Sequence, residues 1–392
     1  MKVNKVERGK GPLEGVVVLD LTRVLSGPYC SMMLADLGAE VIKVERPGVG
    51  DDTRAWGPPF INGESAYFLS VNRNKKSIVL DLKDPEDQKK LRKLIEHADV
   101  IIENFRAGFM ESIGFGYEQI KKINPRIIYG AISGFGRIGP YKDRPGYDLI
   151  CQGMGGLQGI TGTQNGEPVR IGVAIADIGA GMFLAYGILA ALYHREKTGE
   201  GQYVETSLLE GQIAWLTYMA AYYFATGEVP KRMGSAHPTI VPYQAFRAED
   251  MWINIAVGND AQFRRFCKVI GYPELADDPK FATNAQRVIN RDILVPMIQG
   301  ILVTRKGEYW LRELEKAEIP CGAVYTLDKI FEDPQVKALG MKVDLEHPKA
   351  GRISVINSPI RFSKTPASIR APPPLLGEHT EEIKKKYNLN DC

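Results

Sequence analysis

Short apolar runs alternate with amphipathic segments over the first 135 residues of the chain. Residues 16–20, 40–45, 77–82, 100–103 and 127–132 are apolar runs of strand length, while 27–38 and 87–98 carry a helical period. That alternation predicts an α/β fold, a large Rossmann-like parallel sheet covered by helices. Ligands of such sheets sit beyond the carboxyl ends of the strands. The loops to inspect are therefore 22–26, 46–54, 72–76, 104–107 and 134–147. From 177 to 228 the pattern is helical, broken by a polar turn at 197–202 and a short strand at 203–206.

After Gly227 the polar, proline-bearing connector KRMGSAHPTIVP marks a domain boundary near 229. Beyond it, a β-hairpin over 246–257 turning at Glu249 and Asp250, helices over 260–270, 285–303 and 306–316, and a strand over 321–325 predict a smaller α+β unit. The expected domains are 1–228, 229–328 and 329–392, the last returning to the first. The prolines of APPPLLGEH at 371–379 keep that segment extended. Having no core of its own, it is expected to wrap over the first domain or over a second subunit.

The stretch PVRIGVAIADIGAGMFLAYGILAA at 168–191 draws most attention. A short apolar run ends at Asp177, and a helix rich in small residues (Gly179, Gly181, Ala185, Gly187) follows, so one carboxylate is expected at a strand-to-helix junction. Such an Asp caps the helix by accepting backbone N–H bonds. The same position suits a covalent nucleophile, because a helix N-terminus favours the carboxylate anion and lowers its pKa.

Composition narrows the function classes. The 392 residues are 44% hydrophobic and 25% charged, values of a globular protein large enough for two domains. A net charge of +3 is too small for bulk attraction to nucleic acid, though local basic spots suit the phosphates of small molecules. Cys30, Cys151, Cys267, Cys321 and Cys392 are scattered without zinc-ligand or disulfide spacing, so no metal site is expected and the compartment is reducing. The basic N-terminal stretch MKVNKVERGKG has no apolar core, and no run of 18 apolar residues occurs, so neither secretion nor membrane insertion is expected. The expected location is the cytoplasm, or the mitochondrial matrix in a eukaryote. Gly134-Phe-Gly136-Arg-Ile-Gly139 matches a dinucleotide pattern literally, but Pro140 and a charged turn follow it, so it reads as a tight turn.

Several stretches together resemble the family III CoA-transferases. They are LEGVVVLDLTRVLSGP (13–28), LGAEVIKVERPGVGDDTR (37–54), NRNKKSIVLDLK (72–83), ADVIIENFRAG (98–108), INPRIIYGAISGFG (123–136), GYD (146–148), ADIGAGM (176–182) and PPPLLGEHT (372–380). NGESAYFLSVNRNKKSI and SAHPTIVPYQAF look most like the succinyl-CoA:glutarate and related dicarboxylate members of that family.

The resemblance implies that Asp177 attacks a donor thioester, forming an acyl-aspartyl anhydride that the released CoA thiolate converts to an aspartyl-CoA thioester. An acceptor acid, such as glutarate, then collects the CoA. Coenzyme A is a substrate here, and no permanently bound cofactor is implied. By position, Arg46 and Lys75 match basic residues used around the adenosine phosphates, with Arg73 and Lys76 beside them, and Asn72 is expected to bind CoA as well. Val24, Leu25 and Ser26 match the loop at the thiol end, and Asn104 with Phe105 a stretch beside the adenine. Tyr147, Arg144, His237 and Tyr243 are expected around the acyl and acceptor groups. A distal carboxylate needs a cation, for which Arg54, Arg144, Arg170, Arg287 and Arg291 are candidates. The rival within the superfamily is an acyl-CoA racemase, which needs a second acid/base, typically His, where this chain has Tyr147. The resemblance also implies an interlocked-ring homodimer.

Overall fold

The computed structural model describes residues 11–391. The basic stretch 1–10, on which the reading of the N-terminus rests, and Cys392 lie outside them. Contacts divide the described chain into two compact units. One comprises 11–157, 170–221 and 337–391, the other 158–169 and 222–336.

The first unit is built on a six-stranded sheet of β1 (Val17–Asp20), β2 (Glu40–Glu45), β3 (Lys75–Val79), β4 (Val100–Glu103), β5 (Ile128–Ser133) and β6 (Tyr203–Ser207). Every neighbouring pair is parallel and the order is β3-β2-β1-β4-β5-β6. This is a doubly wound order whose direction reverses between β1 and β4, where such sheets open a crevice. The strands read as continuous apolar runs because both faces are covered. Val18, Ile102 and Ile128 point into one core with Leu184 and Ile188, while Leu19, Ile101 and Tyr129 point into the other with Leu91, Leu94 and Ile95.

Five helices of this unit position the site: α1 (Ser26–Asp36), α2 (Pro85–His97), α3 (Asp148–Met154), α4 (Ile175–Thr198) and α5 (Leu208–Ala214). The small residues of α4 have a packing reason. A Cβ on Gly181 would lie 2.5 Å from the Ser26 carbonyl oxygen, and one on Gly179 would lie 2.7 Å from the Trp215 ring. Only glycine lets α4 lie this close to the start of α1.

Strand β3 differs from the expected 77–82. Pairing of Val41 with Lys75 starts it at Lys75 and ends it at Val79. Asn72 and Lys75 enter the strand from its amino end in either register, so the loop 72–76 does not belong with the carboxyl-end loops where ligands bind. The C-terminal segment runs along the outer edge of β3. Asn74 Oδ1 accepts the Ala371 N–H at 2.9 Å, Ser77 Oγ accepts the Gly377 N–H at 2.9 Å, and the His379 N–H donates to the Ser77 carbonyl at 3.0 Å. The strap satisfies an edge that would otherwise pair with another chain. Ahead of the strap in the chain lies a hairpin, Lys342–His347 with Gly351–Ile356, which is absent from the expected elements although Val343, Leu345, Ile353 and Val355 alternate with polar residues.

The second unit holds an antiparallel sheet of Tyr243–Arg247, Trp252–Ala256 and Cys321–Ala323. Helices Asp260–Val269 and Gly307–Lys316 follow the expected pattern. The expected helix 285–303 is two, Asn284–Ile289 and Arg291–Leu302, because the Asn290 amide donates back to the Gln286 and Lys280 carbonyls and interrupts the ladder. Residues 158–169 join this unit through Arg232 donating to the Gly166 carbonyl at 2.8 Å and the Gly234 N–H donating to that of Gly162 at 2.8 Å.

Candidate active site

Asp177 does not cap a helix, and no strand precedes it. It lies in the first turn of α4, as the third helical residue, and the N-cap Ala174 has no side-chain acceptor. The cap comes from elsewhere: Asp148 Oδ1 accepts the Ala176 N–H at 2.8 Å. The other Asp148 oxygen accepts from Gln152 Nε2 at 2.8 Å, and Gln152 Oε1 accepts the Ile171 N–H at 2.9 Å. The approach to α4 is therefore pinned at two points, and Asp177 is left without a hydrogen bond among the described residues. Its carboxyl is pushed up to about 7, first by burial and then by the nearby Asp148 charge. The expectation of a lowered pKa is thus reversed, because loss of water outweighs the pull of the helix N-terminus.

Asp177 faces a cavity of about 330 Å³ walled by Arg23, Val24, Ser26, Phe105, Arg144 and Tyr147, among others. A second cavity of about 330 Å³ is walled by Arg46, Leu80, Lys83, Phe105, Arg106 and Phe109. The two share Arg23, Phe105 and Arg106. Both lie beyond the carboxyl ends of the strands, around the reversal between β1 and β4. The first suits an acyl group beside a nucleophile. The second offers cations at its mouth and an apolar slot, the needs of a nucleotide carrying phosphates.

The loop after β1 is held on both sides. Asn104 accepts the Arg23 N–H at 2.9 Å and donates to the Arg23 carbonyl at 2.7 Å, and Asp51 accepts the Val24 N–H at 3.2 Å. Asp51 itself is buried against Lys43, 2.9 Å away. Buried Glu103 fixes the next wall: it accepts the Phe105 N–H at 2.8 Å and pairs with Arg137 from the glycine turn after β5.

The model of CoA-transferase family III matches residues 13–380. This chain belongs to that family.

Relatives agree over nearly the whole chain. The transferase is 48% identical over 375 residues to the succinyl-CoA:glutarate CoA-transferase of Mus musculus, covering 96% of this chain and 86% of the relative. It is 43% identical over 380 residues to the succinate--glutarate CoA-transferase of Agrobacterium fabrum, covering 95% of each. Its fold superposes on a crystal structure of a CAIB/BAIF family protein from Brucella suis with a TM-score of 0.87 at 43% identity, over 96% of this chain and 100% of that one.

Within the transferase, Val24, Ser26, Asn104, Phe105, Arg144 and Tyr147 meet around Asp177, and Arg46 lines the second cavity. Leu25 is instead buried beside Met32 and Val71. Asn72 and Lys75 are interior. The Lys75 ammonium donates to Asp20 at 3.0 Å, the Pro28 carbonyl at 2.9 Å and Asn72 at 2.8 Å, which engages all three of its protons. Arg73 is locked on Asp36, and Lys76 pairs with Glu40 and Glu382. Neither Asn72 nor Lys75 borders either cavity; the cations lining the second are Arg23, Lys43, Arg46, Lys83 and Arg106, of which Lys43 is paired with Asp51.

Among the arginine candidates, Arg54 is paired with Glu45 and the Pro374 carbonyl. Arg287 is fully buried and donates to Val241, Phe281 and Asp260, while Arg291 donates to the His237 and Pro238 carbonyls, so the acceptors of both lie within the second unit. Arg170 is exposed and borders neither cavity. Arg144 lies over the rings of Phe135 and Tyr141, at 5.4 and 4.7 Å. His237 and Tyr243 belong to the second unit, where their rings lie 5.4 Å apart. Burial, then the Arg291 charge, lowers the His237 pKa. Arg23, Lys83 and Arg106 lie inside the resembling stretches without being singled out there, Lys142 lies outside them, and all but Lys83 fall in the loops that the carboxyl-end rule picks out.

Proposed function

We propose that the transferase moves CoA from succinyl-CoA to glutarate through a covalent intermediate on Asp177. The observation that carries this reading is an unpaired carboxylate on the wall of one cavity that shares three residues with a second, cation-rich cavity. The substrates follow the names of the relatives reported above.

An Asp177 oxygen attacks the succinyl carbonyl, the C–S bond breaks, and CoA leaves as thiolate, giving a succinyl-aspartyl anhydride. The thiolate then attacks the Asp177 carbonyl, succinate departs, and an aspartyl-CoA thioester remains. Glutarate attacks that thioester through a carboxylate oxygen and releases the thiolate. Return of the thiolate to the glutaryl carbonyl of the new anhydride regenerates Asp177. Thioester replaces thioester, so the overall reaction lies near balance and needs no external energy source. Nucleophilic attack requires ionised Asp177, and the partly buried setting protects the anhydride from water. The second cavity takes the CoA nucleotide, with Arg46, Lys83 and Arg106 toward its phosphates.

The enzyme acts as a homodimer in this reading, interlocked as the family resemblance implies. Support comes from an apolar stripe on α4, where Met182, Tyr186, Leu189 and Tyr193 are 46%, 74%, 36% and 65% exposed at helical spacing. Leu149 and Ile150 on α3 add to the exposed apolar surface of the unit. A stripe of this size on one helix face calls for a protein partner.

The test is chemical trapping. After incubation with succinyl-CoA and a hydroxylamine or borohydride quench, mass spectrometry should place the modification on Asp177 alone, and Asp177→Ala should neither be modified nor transfer CoA. Normal exchange by that variant would refute the reading.

A further inference from the structure

Val24 adopts φ 70°, in the left-handed region. A β-branched side chain disfavours that conformation, which persists only where neighbours impose it and tends to occur at functional sites. The neighbours are identifiable. Asn104 holds both backbone groups of Arg23, and Asp51 Oδ1 accepts the Val24 N–H at 3.2 Å. Asp51 is fixed in turn: the same oxygen accepts Thr53 N–H and Oγ at 2.9 and 2.8 Å, Lys43 lies 2.9 Å from its other oxygen, and its own N–H donates to Glu45 at 2.9 Å.

Asp51 therefore joins two walls. The loop on its amino side carries Arg46 and Gly50, which line the nucleotide cavity, and the Arg46 guanidinium donates to the Gly50 carbonyl at 3.3 Å. The loop that it holds carries Val24, which lines the Asp177 cavity. We propose that Asp51 and Val24 are positioning residues that couple occupation of the nucleotide cavity to the shape of the site at the thiol end.

The proposal rests on the CoA reading given above. Phosphates drawn to Arg46 brace the loop 46–52, the braced loop fixes Asp51, and Asp51 holds Val24 at the wall of the nucleophile's cavity. Binding energy from a remote, unreactive part of the substrate then appears in kcat rather than in KM.

The experiment compares succinyl-CoA with S-succinylpantetheine, which carries the same reacting thioester without the nucleotide, both with glutarate as acceptor. In the unaltered enzyme, kcat should be roughly tenfold or more higher for succinyl-CoA, the factor expected if one strained backbone conformation is imposed by the nucleotide end. In Val24→Gly, which reaches φ 70° without strain but is not confined there, and in Asp51→Ala, the ratio of the two kcat values should collapse toward one. General structural damage lowers both donors in proportion and leaves the ratio intact. Melting curves establish whether Asp51→Ala folds; if it does not, Val24→Gly, on a loop, decides alone. Equal kcat for the two donors in the unaltered enzyme, or an undiminished ratio in Val24→Gly, overturns the coupling. Absence of an Asp177 adduct in the unaltered enzyme overturns instead the reading beneath it.

Discussion

Asp148 Oδ1 accepts the N–H of Ala176 at 2.8 Å, so α4 is capped by a carboxylate from α3 and not by its own acidic residue. Two carboxylates thus stand near one helix N-terminus with different duties. Asp148 is engaged by Ala176 and Gln152, whereas the Asp177 oxygens have no hydrogen-bond partner among the described residues. Burial and the Asp148 charge push Asp177 up to about 7, so its ionisation state changes near neutral pH.

The first prediction concerns pH. Only ionised Asp177 attacks, so kcat/KM should rise about tenfold per unit below pH 7 and level off above it. Asp148→Asn retains an oxygen for the Ala176 cap and removes the like charge, so the inflection should move to lower pH. Stability carries the opposite sign. The folded carboxyl holds its proton up to about 7 against 3.8 for the ordinary group, so this residue's contribution falls as pH rises through that window and is constant above it. Rate profiles and denaturant melts across pH 4–9 check both directions.

The cations should separate into two classes. Arg106→Ala, at a wall shared by both cavities, should raise KM for succinyl-CoA roughly five- to thirtyfold with its melting temperature unchanged. Lys75→Met leaves Asp20 buried and short of a partner, which costs about 3–5 kcal/mol and lowers the melting temperature on the order of 10 °C. Steady-state kinetics and calorimetry on the two variants distinguish a ligand contact from an interior ion pair.

Gly181→Ala should destabilise the enzyme although alanine is the better helix former. Its Cβ would meet the Ser26 carbonyl oxygen at 2.5 Å, and backbone cannot yield as a side chain does, so a cost of about 1–3 kcal/mol is expected. Since Ser26 also lines the Asp177 cavity, kcat should fall with stability. Chemical denaturation with parallel assays measures the pair.

Tyr186→Glu places a charge in the middle of the exposed α4 stripe. Sedimentation should then show a shift from dimer toward monomer. A dimer of unchanged strength would exclude this face from the interface.

Much of the first sheet is legible in the chain itself. Strands buried on both faces are continuous apolar runs, and β2 and β4 begin and end where that pattern places them. The rule that ligands collect beyond strand carboxyl ends picks out the loops bearing Arg23, Asn104, Phe105, Arg106, Arg144 and Tyr147 before any contact is known. Asp177 by itself reads as an ordinary helix cap, and it stands out only because the ADIGAGM stretch resembles the family's motif. What the sequence could not decide is whatever depends on register and on who accepts from whom. Lys75, matched to a phosphate ligand by resemblance, is the partner of buried Asp20 instead. A cap supplied by Asp148, 28 positions upstream of Ala176, leaves Asp177 free, and burial, followed by the Asp148 charge, raises the Asp177 pKa where local reasoning lowers it. Arg287 lies on an amphipathic pattern and still ends fully buried, because three acceptors from separate segments converge on it. Periodicity records which side of an element avoids water. Ionisation and hydrogen bonding depend on distances between segments far apart in the chain, and only the folded structure sets those.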